Sequence, residues 1–171
     1  NANRNPWYGQ AQIEAILQQA LGARAVLWLD EGLAHDHTDG HVDNLVRFVA
    51  PGRVVCMSPS GFDDPNAALL RGLPARLRAM TDARGRRLQV TTLPSPGAVV
   101  DEAGGPMAAS YMNFVIGNRT VVMPTYNAKA DHLALQSLRQ LFANRRVVGI
   151  DAQAILTGGG SFHCMTQPQF R

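Results

Sequence analysis

Two stretches of this sequence hold side chains that could do covalent and proton-transfer chemistry. Residues 35–43 contain six ionisable side chains, three histidines and three aspartates, within nine positions. Residues 158–164 read Gly-Gly-Gly-Ser-Phe-His-Cys and end at Cys164. Glycines let the backbone approach a ligand closely and leave amide donors free, conditions under which a thiolate is stabilised. The two stretches together favour a cysteine nucleophile with a histidine placed near it.

His41 and Asp43 are the candidate functional side chains of the first stretch. They are two positions apart, so on a β-strand both side chains would point to one face, while Val42, Val46 and Phe48 point to the other. We predict such a strand, with its apolar face in the core and its polar face available to a ligand. A strand start whose polar side chains are merely solvated is the open alternative.

The two cysteines have different surroundings in the sequence. Cys56 lies in the apolar run from Arg53 to Met57, where a cysteine is typically a small buried hydrophobe. Cys164 is the candidate nucleophile, and the same buried role is its alternative. Two widely separated cysteines make no disulfide framework, and no basic stretch followed by an apolar one opens the chain, so a reducing, cytoplasmic setting is expected.

A metal site is the second interpretation of the histidine-rich stretch. Residues 35–41 read His-Asp-His-Thr-Asp-Gly-His, close to the His-x-His-x-Asp-His run of binuclear metallo-hydrolases but with Gly40 inserted. A zinc-dependent hydrolase would use His35, His37 and His41 and take further ligands from elsewhere in the chain. The candidates for those further ligands are His132, His163, Asp131 and Cys164.

Composition excludes several classes of protein. With 171 residues, 46% of them hydrophobic and 17% charged, the chain is neither disordered, collagen-like nor a coiled coil, and one domain over residues 1–171 is expected. The net charge of +3 comes from 16 Lys and Arg against 13 Asp and Glu, and the Trp and Tyr residues are scattered, so no nucleic-acid partner is expected. No window approaches the roughly 18 consecutive apolar residues of a membrane span, so no membrane partner is expected either.

Hydrophobic periodicity and turn residues predict an α/β chain in which hairpins, helices and strands alternate. The predicted elements are a helix over 13–21 ending at Gly22, a strand over 26–29, a hairpin over 42–57 turning at 51–52, a helix starting at Asp64-Pro65 and disturbed at Pro74, a strand over 88–93, a hairpin over 111–123 turning at 117–118, a helix over 130–144 and a strand over 147–150. The order hairpin, helix, strand therefore occurs twice.

An internal duplication supports this order. With a shift of 66 positions, five residues of the first hairpin fall on identical residues of the second. The pairs are Phe48 and Phe114, Val49 and Val115, Arg53 and Arg119, Val55 and Val121, and Met57 and Met123. We assign modules to about 26–93 and 94–150 and the start of a third near residue 160. If the modules are related by rotation, His41 and Cys164 face each other across the axis.

Three motifs resemble those of agmatine deiminases, in the bacterial-type peptidyl-arginine deiminase branch of the guanidine-modifying superfamily. They are Thr-Asp-Gly-His-Val-Asp-Asn at 38–44, Ser-Tyr-Met-Asn-Phe at 110–114 and Gly-Gly-Gly-Ser-Phe-His-Cys-Met-Thr-Gln at 158–167, and Asn-Arg-Asn-Pro at 3–6 also matches. The resemblance runs over essentially the whole chain. It implies a pentein fold, an α/β propeller of five hairpin-helix-strand modules around a central site, of which this chain forms a part.

The resemblance also implies an activity, the hydrolysis of agmatine to N-carbamoylputrescine and ammonia in polyamine biosynthesis, with no metal and no cofactor. It implies that Cys164 is the nucleophile that forms a covalent amidino intermediate, that His41 carries protons and that Asp43 binds the guanidinium. A carboxylate suits that task because a guanidinium presents a fixed fork of N–H donors. The residues implied to contact substrate are Asp36, Asp39, Asp43, Asn113, Gly159 and Gly160.

Two departures from the family pattern bear on substrate and partners. Many members carry a carboxylate where this chain has His37, so a peptidyl- or free-arginine deiminase is an alternative. Family chains are also longer, and this chain corresponds to their C-terminal half, without a second guanidinium-binding carboxylate. We therefore expect a homo-oligomer or a complementary N-terminal half as partner, and a non-catalytic fragment is the remaining alternative.

Overall fold

Two three-stranded sheets, each with one crossover helix, form the frame of the computed structural model, which describes residues 4–169. Asn3, the first residue of the predicted Asn-Arg-Asn-Pro motif, lies outside that range. The helices are α1 (Gln10–Leu21), α2 (Ala67–Ala79), α3 (Asp131–Leu141) and α4 (Gln153–Leu156). The strands are β1 (Val46–Ala50), β2 (Arg53–Ser58), β3 (Gln89–Pro94), β4 (Val99–Val100), β5 (Pro106–Met107), β6 (Val115–Ile116), β7 (Thr120–Thr125) and β8 (Arg146–Asp151).

The first sheet combines a hairpin with a parallel strand. β1 and β2 pair antiparallel across a turn at Gly52, whose φ of +71° suits a residue without a side chain. β3 pairs parallel with β2, and α2 provides the crossover that parallel neighbours require. Residues 54–57 of β2 are at most 1% exposed, and α2 packs against β2 and β3 through the buried Leu70, Leu73 and Leu77.

The second sheet repeats this arrangement. β6 and β7 pair antiparallel, and β8 pairs parallel with β7 after the crossover through α3. Ala134 and Leu138 of α3 are fully buried, and α3 packs against β3 of the first sheet as well as against β8. The predicted α/β class and the repeated order of hairpin, helix and strand are confirmed.

The strand predicted over 26–29 is wrong. A strand requires a hydrogen-bonded neighbour, and none of the strands between residues 4 and 169 pairs with this run. Val26, Leu27 and Leu29 are instead half-buried and line an open cavity. The helix predicted before them is confirmed as α1, which is followed by Gly22 with a φ of +66°.

The first hairpin begins later than predicted. Residues Val42–Asn44 form a 3-10 turn, in which the Asn44 amide donates to the His41 carbonyl and the Leu45 amide donates to the Val42 carbonyl. These local bonds prevent the backbone from joining the sheet before Val46. The prediction that His41 and Asp43 share one face of a strand is therefore wrong, because neither lies on a strand.

Helix boundaries also differ from the predictions. α2 begins at Ala67, two residues after Pro65, because the Asp64 carboxylate holds a preceding turn by accepting the amides of Ser60 and Asn66. Pro74 lies inside α2, which continues to Ala79. α3 is shorter than predicted at both ends, and β4, β5 and α4 were not predicted. No helix between residues 4 and 169 is long and apolar enough to cross a membrane.

Candidate active site

An open cavity of about 950 Å³ lies where four parts of the chain meet, and we call it the site cavity. Its lining residues are Leu17 of α1; Val26, Leu27, Trp28, Leu29 and Glu31; Thr38, Gly40, His41, Val42, Asp43 and Leu45; and Ile155, Gly158, Gly159, Gly160, His163, Cys164 and Met165. His41, Asp43 and Cys164, the three residues predicted to carry the chemistry, all line it. The fold thus brings the two chemistry-bearing stretches of the sequence to one surface.

Cys164 is the exposed cysteine of the chain, and its thiol has polar neighbours. Its Sγ lies 3.1 Å from Nδ2 of Asn113 and 3.4 Å from Oδ2 of Asp43. Gly160 packs directly against it, because a Cβ at that position would lie 3.0 Å from the sulfur and 2.9 Å from the Cys164 Cβ. The glycine run therefore makes room for the thiol.

Cys56 is unsuited to the same role. It is completely buried in β2, and burial raises the pKa of its thiol to about 12. At neutral pH such a thiol is protonated and out of reach of a substrate. The prediction that Cys56 is a small buried hydrophobe is confirmed.

The side-chain amide of Asn113 is the point at which three parts of the chain are joined. Its Oδ1 accepts the backbone amides of His163 (3.0 Å) and Cys164 (3.3 Å). Its Nδ2 lies 3.0 Å from Oδ2 of Asp43 and 2.9 Å from Oδ1 of Asn44, in addition to the Cys164 sulfur. Because Asn113 is 0% exposed, these bonds form away from solvent and hold the thiol and the carboxylate in a common geometry.

His163 is a functional candidate that sequence reasoning considered only as a metal ligand. Its Nδ1 lies 2.7 Å from Oδ2 of Asp43. The Asp43 side chain is 15% exposed and that of His163 is 36% exposed, so the pair sits at the wall of the site cavity with one side open to solvent. The available signal was its position next to the candidate nucleophile.

His41 lines the same cavity and has a defined hydrogen-bonding state. Nη1 of Arg4 lies 3.0 Å from its Nε2, and because a guanidinium is only a donor, Nε2 is the acceptor. The backbone amide of His41 donates to Oδ2 of Asp36 at 3.1 Å. His41 therefore presents an unprotonated ring nitrogen on the side that faces Arg4.

Asp36 organises the loop that carries His41. Its carboxylate accepts the amide and hydroxyl of Thr38, the amide of His41 and the side-chain amide of Asn44. Burial alone would raise the pKa of Asp36, but these hydrogen bonds outweigh it and hold the pKa below its ordinary value of 3.8. Asp36 is not among the residues that line the site cavity.

Two left-handed residues shape the next part of this loop. Asp39 has a φ of +61° and Gly40 a φ of +90°. The backbone of Gly40 packs against that of Gly32, where an added Cβ would lie 2.2 Å from the Gly40 Cα. The loop 36–44 is thus closely packed on residues 30–34, and the substrate contacts predicted for Asp36 and Asp39 remain predictions.

The ligand set of the zinc alternative is not assembled in the described part of the chain. Between residues 4 and 169 there is no group of three or more His, Cys, Asp or Glu side chains placed to hold a metal ion. Asp131 instead starts α3, accepting the amide of Ala128 at 3.2 Å and the hydroxyl of Tyr111 at 2.6 Å. His35 and His132 are exposed, away from the cavity lining.

The fold and the site together define an α/β protein of the pentein type with a thiol, carboxylate and imidazole at its cavity. The model of the Porphyromonas-type peptidyl-arginine deiminase family matches residues 1–169, and the chain belongs to this family.

Similar proteins of known name agree with this membership. A Legionella pneumophila protein called "Putative agmatine deiminase" is 41% identical over 170 residues, which are 99% of this chain and 49% of that protein. The solved structure of Enterococcus faecalis agmatine deiminase is 34% identical with a TM-score of 0.90, covering 98% of this chain and 50% of that one. A Porphyromonas gingivalis structure titled as a "Putative Arginine Deiminase" is 34% identical with a TM-score of 0.88, covering 96% of this chain and 48% of that one. The chain therefore spans about half the length of the curated relatives it matches.

Proposed function

We propose that this chain supplies the nucleophile of an enzyme that hydrolyses a guanidinium group, with agmatine as the substrate. The observation that carries the proposal is the contact of the exposed Cys164 thiol with the Asp43 carboxylate, 3.4 Å apart at the wall of the site cavity. A carboxylate that binds a planar cation next to a thiol holds the electrophilic carbon within reach of the sulfur.

The reaction follows from these groups. With the guanidinium bound to Asp43, Cys164 passes its thiol proton to the ring of His41, and the resulting thiolate attacks the guanidinium carbon and forms a C–S bond. His41 gives a proton to the departing nitrogen, and ammonia leaves with the electrons of the broken C–N bond. Water then attacks the amidino carbon, His41 takes a proton from it, and the C–S bond breaks to return the thiolate. Agmatine and water thus become N-carbamoylputrescine and ammonia.

Asn113 and His163 prepare the two reacting groups. The Asn113 amide donates toward the sulfur and toward Oδ2 of Asp43, so it stabilises negative charge on both. His163 orients the same carboxylate oxygen through its Nδ1. Asp36, by holding the His41 amide, keeps the proton carrier at the cavity.

The charges of the cavity lining favour agmatine over arginine. Two carboxylates, Glu31 and Asp43, are among the described residues that line it, and none of those residues is Arg or Lys. At the end away from the guanidinium, agmatine carries only an amine, whereas arginine carries both an α-amine and an α-carboxylate. A second carboxylate at the cavity attracts the amine of agmatine and repels the α-carboxylate of arginine. Peptidyl-arginine, which has neither charge at that end, is the intermediate case.

The length of the chain leads to a proposal about partners. Apolar side chains beside the cavity are exposed, with Leu21 at 74%, Val42 at 55% and Phe48 at 55%. They border a second, largely apolar cavity of about 860 Å³ between α1 and the first hairpin. We propose that a complementary N-terminal half or a second copy of the chain covers this surface and adds a second guanidinium-binding carboxylate. We use "active assembly" for the chain together with such segments, and we propose that it works in the cytoplasm, in putrescine biosynthesis.

Ammonia release by the active assembly tests the function and the substrate together. We expect the highest kcat/KM with agmatine, a lower value with peptidyl-arginine and the lowest with free arginine. A Glu31→Gln variant should reduce the preference for agmatine over arginine, whereas Glu102→Gln, at an exposed position outside the cavity lining, should leave it unchanged. A clear preference of the unmodified assembly for arginine would overturn the agmatine assignment.

A further inference from the structure

Arg47 is a half-buried cation on β1 whose side chain reaches into the second module. Its Nη1 donates to the carbonyl oxygen of Met112 at 3.1 Å and to that of Phe114 at 2.7 Å. Its Cζ lies 4.8 Å from the centroid of the Phe114 ring, which is within the range of a cation–π contact. Phe114 is 0% exposed, so the contact fixes the guanidinium against the core.

The two carbonyls that Arg47 binds stand on either side of Asn113. The side chain of Asn113 contacts the Cys164 sulfur and Oδ2 of Asp43, as described above. One guanidinium nitrogen therefore ties together the backbone on both sides of the residue that orients the thiol and the carboxylate. The same turn is held from its other end by Ser110, whose hydroxyl donates to the Asn44 carbonyl at 2.7 Å.

The charge of Arg47 acts on the same two groups. Burial lowers the pKa of Arg47, while the negative charges of Asp43 and Cys164 oppose that effect. A guanidinium stays protonated in proteins even when it is partly desolvated.

We propose that Arg47 is a positioning residue of the thiol site: its guanidinium fixes the turn that carries Asn113 and supplies the positive charge that keeps Cys164 reactive. The inference rests on the proposed function in that it takes Cys164 as the nucleophile. No motif in the sequence marks Arg47 for this role. Its importance follows from the hydrogen bonds that its side chain, on β1, makes to the backbone on both sides of Asn113.

The electrostatic part of the proposal depends on every charged or titratable group near the sulfur. The Asp43 carboxylate is the nearest negative group, with its Oδ2 3.4 Å from the sulfur. Arg47 opposes Asp43, and His163 contacts the far side of the same carboxylate oxygen. Tyr126 interacts electrostatically with Cys164, and His41 lines the same cavity. Among these groups Arg47 is the permanent cation, so we expect removal of its charge to lower the reactivity of Cys164.

The test measures the rate at which 2-chloroacetamide, a neutral reagent, alkylates each cysteine of the complete chain from pH 5 to pH 10. The first variant is Arg47→Met, which keeps an aliphatic side chain over Phe114 and removes the charge. The second is Arg47→Lys, which keeps the charge and loses the planar set of guanidinium N–H donors. Arg53→Met is the matched control, an exposed arginine on the other strand of the same hairpin. Cys56 reports on folding, because it reacts only if the core opens.

We expect Arg47→Met to slow alkylation of Cys164 about tenfold at pH 7 and to move the midpoint of the pH–rate curve upward. Arg47→Lys should keep the midpoint close to that of the unmodified chain but lower the rate at its plateau, because one ammonium cannot hold the turn as the fork does. Arg53→Met should behave as the unmodified chain. An Arg47→Met curve that coincides with the Arg53→Met curve overturns the proposal.

The same measurements distinguish failure of the Arg47 proposal from two other results, unfolding of the variant and failure of the proposed function. If Arg47→Met makes Cys56 reactive, the variant has lost its fold, and Arg47→Gln and Arg47→Lys are compared instead. Arg47→Gln keeps an uncharged N–H donor at this position. The midpoint of the Cys164 pH–rate curve must then move upward in Arg47→Gln and stay unchanged in Arg47→Lys. Equal midpoints in the two variants overturn the proposal. If Cys164 of the unmodified chain reacts no faster with chloroacetamidine, a guanidinium mimic, than with chloroacetamide, the proposed function fails while the Arg47 comparison still stands.

Discussion

Nδ1 of His163 lies 2.7 Å from Oδ2 of Asp43, the same oxygen that the Asn113 amide and the Cys164 thiol contact. One carboxylate oxygen thus has three protein partners before any ligand arrives. A guanidinium that binds Asp43 through two N–H groups must share or displace part of this set. We therefore expect His163, the residue before the nucleophile Cys164, to influence how the substrate binds.

Replacing His163 should affect substrate binding more than the chemical step. We expect His163→Ala to raise KM for agmatine by about tenfold or more, because a hydrogen bond to a charged group contributes about 1.5–3 kcal/mol. His163→Asn keeps a donor near the position of Nδ1 and should restore most of the loss. Steady-state kinetics of the active assembly would check both. Equal KM values for the Ala variant and the unmodified assembly would contradict the role.

The two cysteines should respond oppositely to substitution by serine. Cys164→Ser should reduce turnover to the rate without enzyme, because a hydroxyl is far less ionised than a thiol near neutral pH. Cys56→Ser should leave kcat unchanged but lower the free energy of unfolding by about 1–3 kcal/mol, because it places a hydroxyl in an apolar core. Chloroacetamidine labelling with peptide mapping is the direct check. Modification of Cys56 with Cys164 untouched would be the contrary result.

Asp36 should make the chain sensitive to acid. Its pKa is lowered in the folded chain, so its ionised form adds stability above its ordinary value of 3.8, and this stability is lost as pH falls through the lower folded value. We expect Asp36→Asn to flatten the dependence of the urea midpoint on pH below about 4. Asp63→Asn, at an exposed carboxylate, is the control and should change nothing. A pH dependence in Asp36→Asn as steep as in the unmodified chain would refute the assignment.

A chelator should leave the activity of the active assembly unchanged. The thiol mechanism uses Cys164, His41 and Asp43 and needs no metal ion. The zinc alternative predicts a stoichiometric metal, loss of activity with a chelator and survival of activity in Cys164→Ala. Metal analysis of the purified protein, together with assays in the presence of EDTA, separates the two mechanisms on all three counts.

The 171-residue chain alone should associate and have negligible deiminase activity. The exposed apolar surface beside α1 favours self-association. Without the second guanidinium-binding carboxylate that we propose the covering segment to supply, the guanidinium is loosely oriented, which costs on the order of 100-fold in rate. Sedimentation of the purified chain, with an ammonia assay on the same sample, would measure both properties. A stable monomer that turns over agmatine at an ordinary rate would require the second guanidinium-binding carboxylate to lie within this chain.

Local chemistry in the sequence was enough to predict much of the frame. The turn at Gly52 and the helix end at Gly22 follow from glycines that adopt a positive φ, and the repeat with its shift of 66 positions predicted two like modules. Cys56 and Cys164 could be told apart for the same reason, since an apolar run buries a thiol and a glycine run exposes one. These features depend on a few neighbouring residues.

Contacts between distant segments were decided only by the tertiary structure. The run at 26–29 has the composition of a strand, but pairing requires a partner, and none pairs with it between residues 4 and 169. Residues 42–44 form a 3-10 turn rather than a strand, and Asp36 helps to anchor it by accepting the His41 amide. Asn113, His163 and Arg47 are ordinary residues in sequence, and they matter because folding brings positions 47, 113 and 163 around one carboxylate and one thiol. Hydrogen bonds between residues so far apart in the chain leave no periodic pattern or fixed spacing in the sequence from which they could be predicted.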